Sequence, residues 1–214
     1  MRAMPCLIFA VAFALWPFGA AADSAVDPLV NDRPLSELVA SQDYLEDLER
    51  YLIGYETWVG PCPDPQVAGR IKTLVLQKTV SFPEVEAPME AQWIEVVRIA
   101  GCTNPYERPV YVTVDQGKTV FFAHLLGSTR TQPRLQHRAL NNLIAAEKSA
   151  AIASGCPQTQ PVRVITTAYV SEFSTEYGRA WRETWTIANC RGLKNVPIEF
   201  KPDHTGGIAI RFEG

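Results

Sequence analysis

The hydrophobic pattern of this chain is written twice. Between positions 34 and 59 apolar residues recur at helical spacing, with Leu38, Leu45, Leu48, Leu52 and Tyr55 on one stripe, Pro34 near the first turn and Gly60 just past the end. Proline suits a first turn because its missing N–H has no partner there anyway. Four shorter apolar runs follow, at about 69–78, 91–101, 109–115 and 118–125, with the turn signal "DQGK" between the last two. A second helical pattern covers 133–153, opening near Thr131 and Pro133 and closing at Gly155. Strands are predicted after it at about 161–171, 179–189, 195–201 and 207–212, with "PDHTGG" as the last turn.

The two halves share more than their order of elements. "WIEVVRIAGC" ends at Cys102 and "WRETWTIANC" at Cys190, and a shift of 88 residues superposes Trp, Glu, Ile, Ala and Cys. Each is preceded by a helical pattern that ends in a Gly and a Cys-Pro pair, at Cys62 and Cys156. A repeat of this length is one supersecondary unit written twice. The predicted fold class is therefore α+β: two tandem α-β4 units, 23–127 and 128–214, each a helix followed by an antiparallel meander, with both helices packed on one face of the sheets.

The start of the chain sets the expected compartment. Arg2, the apolar run "CLIFAVAFALWPF" and the small residues Ala20, Ala21 and Ala22 have the order of a cleaved secretory signal peptide over residues 1–22. That run is shorter than the ~18 residues a spanning helix needs, so no membrane span is expected. Cys6 lies before the apolar core, the wrong side for lipid attachment. The four remaining cysteines form no Cys-x-x-Cys motif and read as two structural disulfides. A duplicated unit should carry its own staple, which gives Cys62–Cys102 and Cys156–Cys190. The predicted location is periplasmic or secreted. No Asn-x-Ser/Thr acceptor occurs, which favours a bacterial envelope over a glycosylating one.

Charge and motifs exclude several functions. The formal net charge is −3, which is no footprint for nucleic acid. The three histidines, His124, His137 and His204, are scattered and belong to no metal-ligand motif, so neither metal nor cofactor is expected. There is no Gly-x-Ser-x-Gly elbow and no phosphate loop, and oxidised cysteines offer no thiolate.

Two features keep function open. Alternation places Glu95 with Trp93, Val97 and Ile99 on one strand face, and Glu183 with Trp181, Trp185 and Ile187 on its counterpart. A carboxylate among aromatic residues is a candidate general acid, with His124 as a partner. A structural ion pair, with Arg70 for Glu95 and Arg163 for Glu183, eight and seven residues after Cys62 and Cys156, outweighs it, because a duplicated feature beside a duplicated disulfide belongs to the scaffold. The second feature is "SFPEVEAPME", an acidic loop stiffened by Pro83 and Pro88 where the second unit has only a short turn. Phe82, Glu84 and Glu86 are its candidate contacts to a basic cleft on another protein. The first helix is acidic and the second basic at its start, a further route to association between helices or molecules. The expected function is a non-catalytic exported binding protein for a protein or envelope component, an inhibitor being one version. A small Glu/His hydrolase or lyase and a self-associating envelope protein are the alternatives.

Overall fold

A computed structural model describes residues 29–30, 33–77, 92–115 and 118–213. The signal segment and the acidic loop with Phe82, Glu84 and Glu86 lie outside the described residues, as do positions 116 and 117 of the "DQGK" turn.

Two short strands, β1 (Leu29–Val30) and β2 (Arg33–Pro34), pair antiparallel ahead of the first helical region. That region is two helices rather than the single one predicted, α1 (Leu35–Ala40) and α2 (Gln42–Val59). The break is at Ser41, whose ψ of 144° is extended. Its N–H and its hydroxyl both donate to the Leu38 carbonyl, at 3.0 and 2.7 Å. A serine that bonds back to the preceding turn competes with helix continuation. Beyond the break α2 buries Tyr44, Leu48, Leu52, Tyr55 and Val59, which includes three positions of the predicted stripe. Gly60 follows directly, but its φ of −67° is not left-handed. Glycine is needed there because a Cβ would collide with Glu56 Oε2.

The strands form two four-stranded antiparallel sheets. In the first, β3 (Gln66–Gln77), β4 (Gln92–Ala100), β5 (Tyr106–Asp115) and β6 (Lys118–Ala123) lie side by side in chain order. After α3 (Pro133–Ala153), β7 (Arg163–Thr175), β8 (Gly178–Asn189), β9 (Gly192–Pro202) and β10 (Ile208–Phe212) repeat that order. The repeat reaches the register. Trp93 faces Val112 and Glu95 faces Val110; 88 residues on, Trp181 faces Phe200 and Glu183 faces Ile198. β5 and β9 begin before the predicted starts, and both run through a proline, Pro109 and Pro197. Proline cannot donate to a ladder. Each still accepts at its carbonyl, Pro109 from the His124 N–H at 2.9 Å and Pro197 from the Glu213 N–H at 3.0 Å.

Both disulfides, Cys62–Cys102 and Cys156–Cys190, connect the pairs expected from the repeat. Strand alternation would have sent Cys102 to the face opposite Trp93. It does not carry that far, because β4 ends at Ala100 and Gly101 turns the chain at φ +80°, after which Cys102 packs on the core. One hydrophobic cluster takes residues from both units, among them Leu48, Leu52, Trp93 and Ile99 from the first and Leu140, Leu143, Trp185 and Phe200 from the second. Side chains of α2 and α3 also satisfy backbone groups at the end of β6: Tyr51 accepts from the Ala123 N–H and Gln136 from the Leu125 N–H, each at 2.8 Å.

Candidate functional site

The repeated glutamates are both fully buried. Their alternate positions on β4 and β8 aim them at the side that also holds Trp93 and Trp185. Oε1 of Glu95 accepts from the Tyr44 hydroxyl and from the Trp93 indole N–H, both at 3.0 Å. Its Oε2 accepts from the Thr73 hydroxyl at 2.7 Å, and the Arg70 guanidinium stands 3.8 Å away. Arg70 itself donates to the Val39 carbonyl at 2.6 Å, so the predicted ion pair exists as a long contact beside a shorter bond. Burial and the Glu95 charge together hold the Tyr44 hydroxyl well above the ordinary phenol range, which keeps it a donor.

Glu183 is held differently. Its Oε1 accepts from the Thr129 and Thr131 hydroxyls at 2.8 Å, from the Arg130 N–H at 2.9 Å and from the Thr131 N–H at 3.2 Å. The Trp185 indole N–H donates to Oε2 at 2.9 Å. The expected partner Arg163 is elsewhere: it donates to the carbonyls of Gly60 at 2.7 Å, Cys62 at 2.9 Å and Glu56 at 3.3 Å. Register explains the difference. Arg70 faces Val97, whose counterpart Trp185 faces Thr167, whereas Arg163 faces Ala188. Distance from the cysteine had paired two arginines that the sheets place at different rungs.

Each carboxylate thus has both oxygens occupied by protein donors and no exposed surface. Such a group can orient neighbours but cannot reach a substrate. The described hydrogen bonds join none of the three histidines to either glutamate. His137 lies among the rings of Trp58 and Phe122, and His204 beside Tyr177. A third buried carboxylate was not singled out from the sequence. Glu56 of α2 pairs with Arg108 at 2.6 and 3.1 Å and accepts from the Tyr106 hydroxyl at 2.6 Å. Arg108 is 1% exposed and Glu56 is not exposed at all, so this is a buried ion pair with its own hydrogen-bonded partner. Its signal in the sequence was a lone Glu near the end of the helix stripe, indistinguishable there from a solvated residue.

The accessible chemistry sits on the other face of the first sheet. A cleft of about 530 Å³ is lined by Leu76, Ile94, Tyr111 and Pro133 together with the polar side chains of Gln92, His124, Gln132 and Arg134. It runs across β3, β4 and β5 to the start of α3. Burial, and then the Arg108 charge, lower the His124 pKa from its ordinary value, which favours the neutral ring. Arg134 lies over the Phe122 ring at 5.4 Å. Along β3, which among the described residues is an outermost strand of the first sheet, Ile71, Leu74, Val75 and Leu76 are between 42 and 54% exposed. Among the described residues no group of three metal-ligating side chains is assembled, and no helix is long and apolar enough to cross a membrane. No protein family, curated protein or solved structure matches this chain.

Proposed function

We propose that this is an exported, non-catalytic binding protein of the bacterial periplasm or envelope, and that it engages a protein partner through the open edge of the first sheet. The observation that carries the reading is the row of Ile71, Leu74, Val75 and Leu76, large apolar residues left exposed on an edge strand. Natural edge strands are usually blunted by charge or cover; here Lys72 is the charge, and the apolar run Leu74 to Leu76 beyond it marks an interaction surface. An extended segment of a partner can add to such an edge, with backbone bonds for affinity and alternate side chains for selectivity. The loop carrying Phe82, Glu84 and Glu86 continues from the same strand and supplies the acidic contacts. The two disulfides suit an oxidising compartment. We read the scaffold as two α-β4 units whose helices share the face that holds Trp93 and Trp185.

Capture from the organism's own envelope extract tests this. Wild-type protein should retain a partner that Leu74→Asp with Val75→Asp loses, and the triple change Phe82→Ala, Glu84→Ala, Glu86→Ala should weaken retention at least tenfold. Retention by all variants alike would overturn the reading. The same exposed edge favours self-association as a second reading. Light scattering distinguishes it, since a dimer dissolved by Leu74→Asp would assign the edge to a second copy.

A further inference from the structure

We infer that the cleft on the outer face of the first sheet binds an aliphatic carboxylate, with the anionic group on Arg134 and the hydrocarbon against Ile94, Leu76 and Tyr111. The inference differs from the partner reading, because it concerns the face of the sheet rather than its edge, and the two share Leu76 alone. Three observations converge on it. The first is the lining of the cleft: Leu76, Ile94 and Pro133 give apolar surface while Gln92, Gln132, His124 and Arg134 give polar groups, the mixture that recognition of an amphipathic molecule requires. Its volume of about 530 Å³ falls within the ~300–1,000 Å³ usual for small-molecule sites.

The second is the state of the arginines around the start of α3. Arg130 pairs with Glu172, and Arg138 donates to the Ile208 carbonyl at 2.5 Å. Arg134 differs. Among the described residues no carboxylate lies within ion-pair distance of it, and its guanidinium rests on the Phe122 ring. A guanidinium resting on a ring uses its face in that contact and keeps its N–H edge for an acceptor, the arrangement that suits a planar carboxylate held by two parallel bonds.

The third is the surrounding field. α3 is 21 residues long, has no acidic residue in its first turn and has no side-chain cap at Gln132, so the positive end of its dipole adds to Arg134. The Arg134 charge also acts on the Tyr111 hydroxyl, whose pKa burial raises, which preserves it as a donor. A negative headgroup gains from all three, whereas a neutral one gains only the apolar wall.

Isothermal titration of the full-length mature protein with octanoate, octan-1-ol and an acetylated tripeptide ending in leucine separates the sources of that carboxylate. Octanoate should bind at one per chain and at least tenfold more tightly than octan-1-ol. Arg134→Gln and Leu76→Asn, both at exposed positions, should each lower its affinity, the first by tenfold or more, while Arg138→Gln leaves it unchanged. Tighter binding of the peptide than of octanoate, with the same dependence on Arg134, would name a peptide C-terminus as the source. Octanoate binding indifferent to Arg134→Gln, or no binding of any of the three probes up to their solubility limits, overturns the inference. Loss of partner capture on changing the β3 edge, with octanoate binding intact, would leave it standing.

Discussion

Glu95 and Glu183 occupy the same rung of the repeat, yet the groups that satisfy them predict different tolerance to change. Around Glu95 two of the donors are hydroxyls, Tyr44 and Thr73, which can rotate to accept from an amide. The one fixed indole at Glu95 lies on Oε1 and leaves the Oε2 side, with Thr73, open to an amide nitrogen. The Thr129 and Thr131 hydroxyls at Glu183 can rotate likewise, but two backbone N–H groups fixed on its Oε1 and an indole fixed on its Oε2 cannot. An amide nitrogen placed there meets donors that have lost their acceptor. Glu183→Gln should therefore destabilise by about 3 kcal/mol and Glu95→Gln by about 1 kcal/mol, by denaturant titration of each variant. Equal losses would mean that local donors do not set the difference. The tyrosines give a pH window. Burial, reinforced by the neighbouring carboxylates, raises the pKa of Tyr44, Tyr55 and Tyr106 in the folded protein. The unfolded chain releases these protons near pH ~10 while the folded one retains them. Their contribution is thus complete below that pH and is lost as pH rises above it. Stability measured against pH should fall from there, and Tyr106→Phe should make the fall shallower.

Between elements, the contact with most leverage is Arg163. It stands at the first residue of β7 and closes three carbonyls around the end of α2, so a charge from the second unit caps a helix of the first. Charge at a helix C-terminus and charge-assisted bonds act in the same direction here. Arg163→Met should cost about 2–3 kcal/mol, more than Arg179→Met, where the side chain is exposed. Thermal unfolding should remain one transition in the wild type, because one core takes residues from both units. A second transition appearing in Arg163→Met would show how much of that coupling passes through this residue; unchanged stability would remove the capping argument.

For the whole molecule, what could be read from sequence was whatever the repeat duplicates. The strand order, the shared register across β4/β5 and β8/β9, and both disulfides follow from two copies of one unit. What could not be read was what each copy does alone. Arg163 looked equivalent to Arg70 by its distance from a cysteine, but bulges in β3 and β7 uncouple chain distance from rung. The break at Ser41 depends on a bond back to Leu38, which a stripe of leucines does not reveal. The cleft was invisible because Leu76, Ile94, Tyr111 and Arg134 come from four separate elements, each ordinary in its own segment.

The stretch between β6 and α3 is tied to the second sheet along its length. Gly127 pairs with Thr167 as a parallel bridge, at a φ of +104° and so close that a Cβ would strike the Thr167 carbonyl. Leu126 and Ser128 exchange backbone bonds with Thr167 at 2.7 and 2.9 Å, and Thr129 to Thr131 close on Glu183. A connector bonded along its length to β7 and β8 must break several of these bonds together before it can bend. Arg130, though solvent-facing, is then a poor site for trypsin, since cleavage requires a strand of backbone to lift away first.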